Sequence, residues 1–109
     1  MWIFTSFGFF SVVQKRGMSV LTVRARVASD LDRLREAVMP ELSATVRGAG
    51  TDYPYRATID HSAFAAGMAR IAGDIHYDNF KSEVSRKMGH MRAHAYHKVW
   101  AALVDLEED

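Results

Sequence analysis

At 109 residues, 49% apolar and 25% charged, with a formal net charge of +1, the chain has room for one small core and the make-up of an ordinary soluble protein. This balance excludes intrinsic disorder and offers no bulk-charge argument for a nucleic-acid binder. The absence of cysteine excludes disulfides, thiolate metal sites and cysteine nucleophiles, and it suits a reducing cytoplasm.

The opening MWIFTSFGFFSVVQKRG reads as strand-forming core. Lys15 and Arg16 follow the apolar run, whereas a signal peptide carries its bases ahead of it. The run also falls short of the roughly 20 residues that cross a bilayer, so no membrane partner is expected. Residues 9–15 and 20–27 read as a hairpin with Gly17 in its turn. Residues 2–5 form either an additional strand or an extension of the first, with Gly8 as turn or bulge. Leu21, Val23, Ala25 and Val27 share one face of the second hairpin strand, and Thr22, Arg24 and Arg26 share the other.

Residues 29–42 predict a helix capped by Ser29, with Leu31, Leu34, Val38 and Leu42 as its buried stripe. Met39-Pro40 should kink or end it. RGAGTD (47–52) is the most loop-like stretch. Residues 52–60 read as a strand with Tyr53, Tyr55, Ala57 and Ile59 on one face and Arg56 and Thr58 on the other; Pro54 predicts an edge position or a strand start. A helix capped by Ser62 should run to about Ile75 with the stripe Phe64, Met68, Ile71, Ile75. Asp78 or Asn79 then caps a short helix carrying Phe80, Val84 and Met88, which Gly89 ends. The last helix runs from His90 to about Leu106. The pattern predicts an α+β fold of one domain, residues 1–109: a small, mostly antiparallel sheet of three to four strands with three to four helices packed mainly on one face. The strand–helix–strand unit from 20 to 60 predicts a parallel pair joined by a right-handed crossover.

In their order and spacing, MWIFTSFGFFSVV, LTVRARV, DYPYRA, NFKSEV and YHKVW resemble an uncharacterised family of small bacterial proteins that begin on a W-[IL]-F-T strand. The resemblance covers nearly the whole chain. It implies a stand-alone α+β domain in a bacterial or phage setting, and no activity, cofactor or catalytic residue.

HMRAHAYH (90–97) gathers three of the five histidines. On a helix at 100° per residue, His94 lies about 40° and His97 about −20° from His90, one stripe in space. Val99, Leu103 and Leu106 cluster on the opposite side with Tyr96 and Trp100 at the edge, so Trp100 is expected to be buried. The histidines are weak metal candidates: a zinc site needs further ligands, no acid shares the stripe, and H-E-x-x-H is absent. No metal and no cofactor is expected. Arg92 falls within the apolar face and needs a partner such as Asp74, Asp78 or the GAG loop. DIHYDN (74–79) is the other polar concentration; Asp74, His76, Asp78 and Arg92 are candidates for a polar pocket, although capping by Asp78 or Asn79 and packing of Tyr77 are the stronger explanation of this stretch.

Arg24, Arg26 and Arg56 can share a sheet face with first-strand aromatics, a combination that suits a partner-binding surface. With no catalytic motif present, the reading is a small cytoplasmic, non-enzymatic interaction module that self-associates or binds another protein. Weak nucleic-acid binding through the arginine face comes second, and a small-molecule enzyme or metal-binding protein third.

Overall fold

A computed structural model describes residues 1–48 and 52–108, so residues 49–51 of the expected loop lie outside the described residues. The elements are β1 (Trp2–Thr5), β2 (Gly8–Val13), β3 (Leu21–Ala25), α1 (Ala28–Ala37), β4 (Val46–Arg47), β5 (Tyr55–Ile59), α2 (His61–Gly73), α3 (Phe80–Met88), α4 (His90–Leu103) and a closing 3-10 turn, Val104–Leu106. The fold is α+β. Among the described residues the sheet is antiparallel and has five strands in the order β1-β2-β3-β5-β4, more than the three to four expected. Residues 2–5 are a strand in their own right: Met1 and Val12 exchange both backbone hydrogen bonds, at 2.9 and 2.8 Å. β4 is only two residues long, too short to leave a period in the sequence.

The chain divides into two compact units, residues 1–4 with 8–75, and residues 5–7 with 76 onward. In the first, the β2–β3 hairpin forms as expected, with Gly17 at φ 80° in the connection. Phe10, Val12, Val23, Ala25, Ala57 and Ile59 form the buried sheet face, closed by Leu31 and Leu34 of α1 and by Val38, Met39 and Leu42 beyond it. The helix ends before Met39-Pro40, and Val38, Met39 and Leu42 beyond its end stay in the core.

The expected parallel crossover does not form. β3 and β5 pair antiparallel, Leu21 with Ile59 through Ala25 with Tyr55. The cause is an extra pass of chain. α1 carries the chain back along the sheet to the end where Ser43 accepts and donates hydrogen bonds: its N–H to the Thr58 carbonyl (2.9 Å), its Oγ from the Thr58 N–H (2.8 Å). β4 then runs up beside β5, so that β5 enters the sheet from the end at which β3 leaves. Pro54 sits just before β5, where its missing N–H breaks no ladder.

Three local expectations need correction. Neither Ser29 nor Ser62 is a cap: α1 and α2 each start one residue before it, on Val27 and Asp60, without a side-chain cap bond. Ile75 lies beyond the end of α2 and is 57% exposed. The buried acid of α1 was unexpected too. Asp30, 1% exposed, accepts the Phe9 N–H at 3.0 Å and an Arg33 guanidinium N–H at 2.6 Å, tying the first turn of α1 to β2. The approach is close enough that a Cβ on Gly8 would come within 2.9 Å of the Asp30 Cβ, which explains glycine there.

In the second unit Asn79 caps α3, its side chain accepting the Ser82 N–H at 2.9 Å, and Gly89 (φ 92°) separates α3 from α4. Val84 is fully buried, and Phe80 stacks on Tyr96 at 5.9 Å. Tyr96 also donates its hydroxyl to the Thr5 carbonyl at 3.1 Å. Trp100 is not buried: it is 58% exposed, with Leu103 at 54% and Leu106 at 74%. Helix length explains this. α3 has nine residues and α4 fourteen, so at 1.5 Å per residue the last turns of α4 overhang the helix that would cover them.

Candidate functional site: an arginine and aromatic sheet face

The pleat that turns Val12, Val23 and Ala57 inward sets Ser11, Arg24 and Arg56 in one row across three strands on the opposite face. Arg24 and Arg56 are register partners. Like charges directly opposed on neighbouring strands repel, and both gain from an anion placed between them. All three expected arginines converge on Tyr53. The guanidinium of Arg24 lies 4.7 Å and that of Arg26 5.2 Å from its ring centre, and Arg56 Nε donates to its carbonyl at 3.4 Å. Tyr53 therefore does not share the inward face of β5. Pro54 separates it from the strand, and the residue is buried, 7% exposed, with Arg24 and Arg26 over its ring. The available clue was Pro54, which has no N–H to give to a ladder and so marks the start of the strand, leaving Tyr53 outside its alternation.

Arg24 also donates to Ser11 Oγ at 2.7 Å, while its buried Nε has no hydrogen-bond partner. Among the described residues, none of the three arginines has a carboxylate within ion-pair distance. The aromatic row continues from Tyr53 to Phe9 (6.3 Å), which stacks on Phe4 at 4.5 Å and meets Trp2 edge-on at 6.0 Å. Trp2 is 65% exposed, so exposed apolar surface continues the aromatic row whose other end, Tyr53, carries the arginines.

The other expected sites are placed as follows. His90, His94 and His97 line a groove of about 530 Å³ between α3 and α4, together with Asn79, Lys81, Ser82, Ser85 and Ala93. Among the described residues, no group of three or more His, Asp or Glu side chains is arranged to hold a metal ion. Of the polar-pocket candidates, Asp74 belongs to the first unit, where it closes α2. In the second unit His76 is exposed, with Nε2 3.8 Å from Glu83, and Asp78 is exposed and makes no ion pair among the described residues. Arg92 is half-buried. It donates to Met88 Sδ at 3.9 Å, and its guanidinium lies 6.0 Å from the Tyr96 ring centre. The acid at the centre of this region is one the sequence did not single out. Glu83, its side chain 6% exposed, accepts two hydrogen bonds from Arg86 (3.1 and 2.9 Å), with Lys87 at 3.7 Å. The Arg86 hydrogen bonds hold its carboxyl below the usual range.

Fold and face together define a small antiparallel α+β protein whose most distinctive surface is cationic and aromatic. Comparison with protein-family models, with curated proteins and with solved structures finds no match to this chain. Among the described residues no helix is long and apolar enough to cross a membrane.

Proposed function

We propose that the protein is a non-enzymatic interaction module that self-associates through the arginine and aromatic face, the same face serving any acidic protein partner. One observation carries this reading: three arginines gathered on Tyr53 without a carboxylate to neutralise them. The chain also bears the complement of that surface. Its end, VDLEED, is acidic, with Asp105, Glu107 and Glu108 exposed beside Leu103 and Leu106. Two copies can exchange these surfaces, apolar contact with Trp2 and Phe4 supplying burial and the charges setting register and partner choice. A cytoplasmic setting fits the cysteine-free composition, and membership of the bacterial family whose phrases the chain resembles fits a stand-alone module of this size.

Weak binding of single-stranded nucleic acid is the second reading, favoured by the exposed Trp2 in one aromatic row with Phe9 and the arginine-bearing Tyr53. Salt separates the two. Three arginines give a slope of at most about −2 to −3 in log affinity against log salt, and few contacts hold at physiological ionic strength. Sedimentation velocity at low and high salt, beside titration with labelled single-stranded DNA and RNA, should show association that persists in salt and nucleic-acid binding that does not. A salt-resistant nucleic-acid complex of a monomer would reverse the order.

A further inference from the structure

The groove between α3 and α4 is lined by Lys81, three histidines, two serines and Asn79, with no carboxylate in its wall. That composition is not forced by the packing of the two helices. The acid of α3, Glu83, is held by Arg86 and Lys87 and is absent from the wall, and residues 76–100 carry five Lys and Arg against two acids. The donors are already oriented. Lys81 Nζ donates to His97 Nδ1 at 3.2 Å, which leaves His97 Nε2 as a proton donor. Lys81 also stands over Trp100, 4.9 Å from the ring centre, and His97 stacks on the same ring at 5.3 Å, so the lysine and imidazole are held by an aromatic plate. Ser85 Oγ and His90 Nδ1 are paired at 3.0 Å, while His94 lines the groove with no hydrogen bond or ion pair among the described residues.

We propose that this groove binds the phosphate group of a small phosphate monoester, Lys81 supplying the charge and His94, His97 and Ser82 the hydrogen-bond donors. A tetrahedral dianion has enough acceptor positions for such a set, and a charge-assisted hydrogen bond is about twice as strong as a neutral one. The volume of about 530 Å³ leaves space beyond the phosphate for an organic group. Trp100, outside the groove's lining but 58% exposed and in contact with Lys81 and His97 of its wall, is the aromatic neighbour that such a group would meet. The site shares no residue with the arginine face and does not depend on the reading of it.

The test is a titration of the full chain, first with inorganic phosphate and then with a nucleoside monophosphate, following the imidazole Cε1–H resonances by NMR. His61, paired with Gln14, and His76, beside Glu83, are internal controls outside the groove. Expected is a saturable shift of His90, His94 and His97 alone, complete by about 10 mM phosphate, as a millimolar site requires. Lys81→Gln should weaken binding about tenfold or more, the scale of one lost charge-assisted contact, with an unchanged melting curve because Lys81 is exposed. His94→Gln should weaken it by a smaller factor. Tighter binding of the monophosphate than of phosphate identifies the Trp100 side as part of the site. Equal affinity confines the site to the phosphate and overturns the organic-group assignment. A uniform drift of all five histidines, no saturation, or undiminished affinity in Lys81→Gln would overturn the proposal.

Discussion

Replacing Asp30 by alanine examines the join between α1 and the sheet, which the sequence pattern did not foretell. Asp30 is 1% exposed, and its carboxylate accepts the Phe9 N–H at 3.0 Å. Removing it leaves that amide without an acceptor, a loss of about 1–3 kcal/mol. The Arg33 contact at 2.6 Å adds less, because Arg33 is 42% exposed and screened by water, so about 0.5–1 kcal/mol is assigned to it. The sum is about 1.5–4 kcal/mol, against a stability of roughly 5–15 kcal/mol for a domain of ordinary size. Urea unfolding followed by far-UV circular dichroism measures it. Asp32→Ala is the matched control, since Asp32 is an acid of the same helix that is 52% exposed and paired with Arg35, and it should lose less than about 1 kcal/mol. A loss below about 1 kcal/mol for Asp30→Ala, or equal losses for the two variants, would refute the reasoning.

Asn79→Ala should lower stability by about 1 kcal/mol through loss of the cap on Ser82 N–H, and restoration by Asn79→Ser in the same unfolding assay would attribute the effect to capping. Trp100→Ala should lose less than about 1 kcal/mol, because the residue is 58% exposed, while Tyr96→Phe loses about as much by removing the hydroxyl's hydrogen bond to the Thr5 carbonyl; a loss of several kcal/mol at Trp100 would show a buried ring. Glu83 gives a pH signature. Its carboxyl is held below the ordinary value of 4.5, chiefly by the Arg86 hydrogen bonds, so the folded state releases that proton more readily than the unfolded chain does. Its stabilising contribution is therefore complete above that value and disappears as pH falls through the lowered one. Wild type and Glu83→Gln should differ in thermal midpoint at neutral pH and converge in acid, whereas a gap independent of pH would contradict the assignment.

What could be read from the sequence was local and periodic. Alternation in LTVRA set Val23 and Ala25 inward and Arg24 outward, and the Gly17 turn, the Asn79 cap and the Gly89 break each rest on chemistry within a few residues. What could not be read depended on distant partners. The burial of Asp30 is decided by an amide 21 residues away, and the antiparallel pairing of β3 with β5 by a two-residue strand that leaves no period. The helical wheel identified the inward side of α4 only in part: Arg92 and Val99 of the apolar face are half-buried, but the buried residue is Tyr96 at its edge, and the histidine stripe opposite meets α3 through His90 and His97; nor can a wheel show where a nine-residue neighbour stops covering it. The arginines of the candidate site were apparent as a set of three. Their organiser, Tyr53, was hidden by the proline that takes it out of the strand.

The central claim is that the arginine face is an interface between copies, and the concentration dependence of the sedimenting mass tests it most directly. Wild type and the double variant Arg24→Ala, Arg56→Ala should be compared near physiological salt, with melting curves taken on both. The account predicts a wild type whose mass rises with concentration toward a dimer, and a double variant that stays monomeric while remaining folded. A wild type that is monomeric throughout the range, or a double variant that associates equally well, would contradict it.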